Sequence, residues 1–200
     1  MLKALSIAGQ VLRLWWREFF SLTVFNIAWL ALQIPIVTGP PATAAMYVIA
    51  RRVVDDEFVE FRHGWGALRE MFFPAWKWGA INLLIIITVV GNLWLYQAAT
   101  GFGWTILRLV WGTIGLAWFA ISFFYWPFWL AQKDRSLRTT LRNGFLFLAK
   151  RPGFAITLVL ISAVIIVVSV LVTVPLATVL MAWLALIGTL AVDDELKRMR

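Results

Sequence analysis

The sequence predicts an all-α fold, a polytopic transmembrane bundle of about six spans with amphipathic helices lying along the membrane surface. Three observations carry that prediction. The 200 residues are 62% hydrophobic with a mean hydropathy of +0.85, against roughly 45 to 50% apolar content in a soluble domain. The stretches 22–50, 79–107, 109–132 and 152–192 contain no charged residue, and a helix needs only about 20 apolar residues to cross a bilayer core. Apolar residues come in unbroken blocks, without the alternation of an outer-membrane barrel.

The first element, about residues 2–18, is an amphipathic surface helix in which Leu5, Leu12, Trp15, Trp16 and Phe19 oppose Lys3, Arg13 and Arg17. The block that follows is too long for one span and short for two. TGPP divides it into spans of about 20–38 and 41–54: Gly39, Pro40 and Pro41 form the hairpin turn, because glycine tolerates a turn and proline suits the first position of a new helix. Ala42-Thr43-Ala44 looks like a leader cleavage site, but the stretch before it carries Arg17-Glu18 and a proline-broken core, unlike a secretory signal.

Residues 56–73, with Phe58, Phe61, Trp65, Leu68 and Phe72 at helical spacing, predict a second surface helix. Spans of about 79–99 and 105–131 follow, then a third surface helix over 134–150, where Leu137, Leu141, Phe145 and Leu148 lie beside Arg135, Arg138 and Arg142. The block 152–192 is about twice the length of one span. Pro175 breaks it into 154–173 and 176–192, since proline cannot donate the helical hydrogen bond. Asp56 precedes Pro74, and Asp134 precedes Pro152, by the same interval, the pattern of a span, surface helix, span repeat.

With six spans, every one of the 18 Lys and Arg residues except Arg108 falls on one side of the membrane. The positive-inside rule makes that side the cytoplasm and puts both termini there. The net charge of +8 is then topological, and no nucleic-acid partner is expected.

No catalytic constellation is present. The spans lack Asp, Glu, Lys and His, so proton relays and ion-coupled transport have no buried ionisable groups to use. There is no cysteine and one histidine, His63, so no metal centre or other cofactor is expected. The acids near Arg51 and Arg52, and those before Lys197 and Arg198, read as solvated i,i+4 pairs. Asn26, Asn82 and Asn92 are intramembrane polar contacts, bonding between helices or lining a substrate path. Arg108 sits near an outer span end and can snorkel to the headgroups. The 13 tryptophans mostly mark span ends, as an aromatic belt does. Arg135, Arg138 and Arg142 are the candidate docking residues for lipid or a partner.

Asn26-Ile-Ala-Trp29, Ile34-Pro35 and Thr38-Gly39-Pro40-Pro41-Ala42-Thr43-Ala44-Ala45-Met46-Tyr47, followed by a charged helix with Phe58 and Phe61, resemble the YesL-type family of bacterial membrane proteins. The resemblance is specific over about residues 19–75. Its one departure is a second proline after the glycine, where the family more often has one. The resemblance implies a multi-pass protein of the bacterial cytoplasmic (inner) membrane whose biochemical role is not established. Members are often encoded near carbohydrate ABC importers, which implies an accessory role in transport with permease subunits as partners. It carries over no catalytic residues. The expected function is a non-enzymatic accessory or assembly partner of a transport complex; an autonomous transporter or channel, and a structural subunit of a larger membrane assembly or self-assembly, are the alternatives.

Overall fold

The computed structural model describes residues 2–198, all helices and connecting turns, with no strand among them. In chain order the helices are α1 (Leu2–Arg17), α2 (Phe19–Gln33), α3 (Gly39–Val54), α4 (Phe61–Glu70), α5 (Phe72–Leu95), α6 (Phe102–Ala131), α7 (Leu137–Lys150), α8 (Pro152–Val172), α9 (Val174–Thr178) and α10 (Leu180–Arg198). Three of them, α5, α6 and α8, are long and apolar enough to cross a membrane, and they mark the chain as a membrane protein. Helix α2 is apolar but shorter. Helices α3 and α10 end in charged residues, Arg51 and Arg52 in one and Asp193 to Arg198 in the other.

The α2–α3 hairpin turns earlier than its glycine and prolines led us to expect. The turn is 34–38, with Ile36 at a φ of 58°, and the Thr38 hydroxyl donates to the Leu32 carbonyl at 2.6 Å. Gly39 is already helical, and Pro40 and Pro41 occupy the first turn of α3, where no N–H partner is lost. A Cβ at 39 would lie 2.9 Å from Gln33 Oε1, so a larger residue there would make the flexible Gln33 side chain shift. The small residues Ala42, Ala44 and Ala45 then bury α3 among α2, α4, α5 and α10. At about 1.5 Å per residue, the 16 residues of α3 cover less than the roughly 30 Å of a bilayer core.

Helix α4 is shorter than expected over 56–73 and does not stand apart on a surface. It packs along α2 and α3, with Phe61 stacked on Phe25 and Leu68 beside Ala42 and Ala45. Gly64 makes this possible, because a Cβ would come within 2.3 Å of the Phe25 ring. Its outer side carries Arg62, Arg69 over Trp65, and Glu70. Helix α5 restarts at once, so Pro74 falls within its first turn and the helix covers 72–95, where a span was expected over 79–99.

Pro175 also begins a helix where a break was expected at it. The chain breaks at Thr173, whose φ is 64°, and Pro175 lies in the first turn of the short α9. A second break at Val179 precedes α10, which continues past residue 192 through the charged end. In both places proline lies in a first turn, where its missing N–H is harmless, whereas Pro127 sits inside α6. The core lies where α10 meets α3 and α6: Ala182, Ala185, Leu186, Ile187 and Val192 pack with Ala44, Ile49 and Phe124.

Candidate functional site

Charge ties both ends of α1 to the ends of α3 and α10, and α8 to α10. Arg151 donates to Asp194 at 3.0 Å and to Glu195 at 3.2 Å, and Lys3 also pairs with Asp194. Arg51 binds Asp55 and reaches across to Asp193, while Arg17 pairs with Asp56 and donates to the Val53 carbonyl. Asp193, Asp194 and Glu195 therefore bond to distant elements, where local i,i+4 pairs were expected. Partial burial pushes the Asp194 carboxyl up, but the bonds from Lys3 and Arg151 outweigh it and hold Asp194 below the usual carboxylate range.

Asn26 is fully buried on α2 and faces the α9–α10 break. Its amide donates to the Leu176 carbonyl at 2.8 Å, and its oxygen accepts from the Met181 and Ala182 N–H groups at 2.7 and 3.1 Å. Those are backbone groups that a helix leaves open at its ends. A side chain from another helix closes both sides of the gap.

Asn82 serves a different pair of helices. Its oxygen accepts from Trp118 Nε1 at 2.9 Å and Ser122 Oγ at 3.2 Å, joining α5 to α6. Asn92 donates only to the Thr88 carbonyl of its own helix, at 2.7 Å. The structure therefore does not bring the three asparagines together along one path. Arg108 donates to the Tyr96 and Gln97 carbonyls and to Thr105, fastening the α5–α6 turn.

Beside Asn82 lies a cavity of about 320 Å³ between α3, α5 and α6. Gln33, Thr43, Tyr47, Asn82 and Ser122 supply its polar walls, and Trp78 and Trp126 its aromatic ones. Of these, Asn82 was expected as an intramembrane polar contact, and Gln33 and Ser122 stand out in the sequence as polar residues within apolar stretches. The signal for Thr43 and Tyr47 is their i,i+4 spacing, which puts them on one face of α3.

Helix α7 presents an exposed basic face. Ser136 caps it by accepting from the Thr139 N–H at 3.2 Å, and Thr140, Gly144 and Phe147 are buried. Arg138 and Arg142 are exposed and make no ion pair among the described residues, and Phe145 and Leu146 lie exposed near them. Arg135 differs: it bonds to Glu70 at 2.9 Å and covers the Trp129 ring. Asp134 accepts from the Ser136 and Thr139 hydroxyls, which holds its carboxyl below the usual range. Among the described residues, no group of three His, Cys, Asp or Glu side chains is placed to hold a metal ion.

Comparison with protein-family models, with curated proteins and with solved structures finds no match to this chain.

Proposed function

We infer that the chain is a non-enzymatic accessory or assembly partner of a membrane transport complex in the bacterial cytoplasmic membrane, docking through α7. The observation that carries this reading is the free basic face. Arg135 is engaged by Glu70, whereas Arg138 and Arg142 have exposed guanidinium groups beside Phe145 and no acid on their own helix. Charge flanked by apolar surface steers a partner and fixes its register. The expected partner is another membrane subunit with an acidic cytoplasmic loop, such as a permease, consistent with the YesL-type resemblance. Arg138→Glu with Arg142→Glu should reduce co-purification of bound membrane subunits in mild detergent by about tenfold or more, because like-charge juxtaposition at an interface costs several kcal/mol. Undiminished recovery would reject the docking role of α7.

The same reading takes α2, α3, α5, α6, α8 and α9–α10 as six spans with both termini cytoplasmic. The distribution of Lys and Arg supports it, as does the ionic cluster tying residues 3, 51, 151 and 194 to one end. The chain has no cysteine, so single-cysteine labelling reads this directly. Ile36→Cys, in the exposed α2–α3 turn, should react with an impermeant maleimide in intact spheroplasts, as should Ala98→Cys. Labelling of Ile36→Cys only after permeabilisation would leave α2 and α3 on the cytoplasmic side and rule out six spans.

One feature favours an autonomous transporter, the uncharged cavity beside Asn82. Solute flux through the purified chain reconstituted alone would support that reading over the accessory one.

A further inference from the structure

The cavity between α3, α5 and α6 has the chemistry of a site for an uncharged molecule. Its volume of about 320 Å³ lies at the lower end of the range for small-ligand pockets. No charged residue lines it, so neither a cation nor an anion would find a counter-charge. The start of α3 borders the cavity, and a helix start ordinarily favours anions through its free N–H groups. Here Pro40 and Pro41 occupy that first turn and lack the N–H.

Tyr47 supplies an independent observation. It lines the cavity, is only 5% exposed, and its hydroxyl forms no hydrogen bond with another described residue. Unlike the enclosed and unpaired indole nitrogens of Trp15 and Trp183, this hydroxyl stays accessible, so a molecule in the cavity can reach it. The neighbouring amide of Asn82 is already fixed by Trp118, Ser122 and the Trp78 carbonyl. Trp78 is stacked on Tyr125 with ring centroids 3.7 Å apart, so this wall is rigid. Gly79 packs against Pro40, where a Cβ would lie 3.3 Å from the proline ring, and that contact joins α5 to α3 beside the cavity. The Tyr47 hydroxyl and the Gln33 Oε1, which accepts no bond, are then open hydrogen-bonding groups among aromatic walls.

We propose that this cavity binds a small uncharged molecule, or the uncharged head of a lipid, whose hydroxyl or carbonyl group pairs with the Tyr47 hydroxyl while its carbon skeleton lies against Trp78 and Trp126. The site is separate from α7 and does not depend on docking there.

The test uses the full chain in lipid nanodiscs with neutral probes and charged counterparts. Saturation-transfer NMR compares glycerol with glycerol 3-phosphate. Native mass spectrometry compares retained monooleoylglycerol with its lysophosphatidylglycerol counterpart. A neutral probe should bind at least tenfold better than its charged counterpart, and Tyr47→Phe should weaken it roughly three- to tenfold, as loss of one neutral hydrogen bond predicts. Phenylalanine keeps the ring, so an unchanged thermal midpoint verifies that the variant is folded. Glycerol binding assigns the site to a free solute, and monooleoylglycerol binding alone assigns it to a lipid. Equal binding of charged probes, binding of neither neutral probe, or full retention by Tyr47→Phe would overturn the proposal.

Discussion

Asn26→Leu is expected to destabilise the fold by about 3 to 5 kcal/mol, read as a lowered thermal midpoint in mild detergent. Leucine is close in size, so little cavity opens and the effect isolates the hydrogen bonds. The substitution orphans the Leu176 carbonyl and the Met181 and Ala182 N–H groups together. Each buried polar group left unpaired costs about 1 to 3 kcal/mol, and the fully buried site of Asn26 gives water no access to substitute. An unchanged midpoint would mean that the helix break satisfies itself by relaxing, and that Asn26 is incidental to it.

Arg151→Met is the second large effect, expected at about 3 kcal/mol. The guanidinium is mostly buried, bonds Asp194 and Glu195, and lies over the Phe154 ring with its carbon 4.1 Å from the centroid. Methionine restores much of the packing but leaves two partly buried carboxylates with only Lys3 nearby, and a buried pair with one partner removed is strongly unfavourable. The pH dependence follows from Asp194. Its folded carboxyl lies below the unfolded value of about 3.9, so its ion pairs contribute stability above that value, and the contribution is lost as pH falls through the folded pKa. Losing Arg151 removes one of the bonds that lower this pKa, so the variant should lose stability at a higher pH than the parent. Identical acid-unfolding profiles for the two proteins would contradict this.

The helical class and the long apolar elements were legible in the sequence, because an unbroken hydrocarbon run has few other solutions. Helix starts were legible in kind: Pro40, Pro41, Pro74, Pro152 and Pro175 all lie in first turns. Reading Pro175 as a break displaced the boundary, since the strain went to Thr173, a residue with no turn signature. The close packing of α4 turned on Gly64 fitting over Phe25, a fact of tertiary distance that periodicity does not encode. Asn26 and Asn82 stood out as polar residues in apolar spans, but their partners did not. A buried amide announces that it needs hydrogen bonds, and the fold alone decides with which atoms. Tyr47 was hidden for the converse reason, because an aromatic residue in an apolar helix looks like packing until its hydroxyl is seen to lack a partner.

The position of Asn26 also sets a clock on biosynthesis. Its partners lie 150 to 156 residues further along the chain. At about 5 to 20 residues per second, α2 is made roughly 8 to 30 seconds before the backbone it must close. Throughout that interval its amide must borrow bonds from its own helix or from passing water. The last hairpin is therefore the closing piece of the molecule, and a chain released before Leu176 carries an open amide that marks it as unfinished.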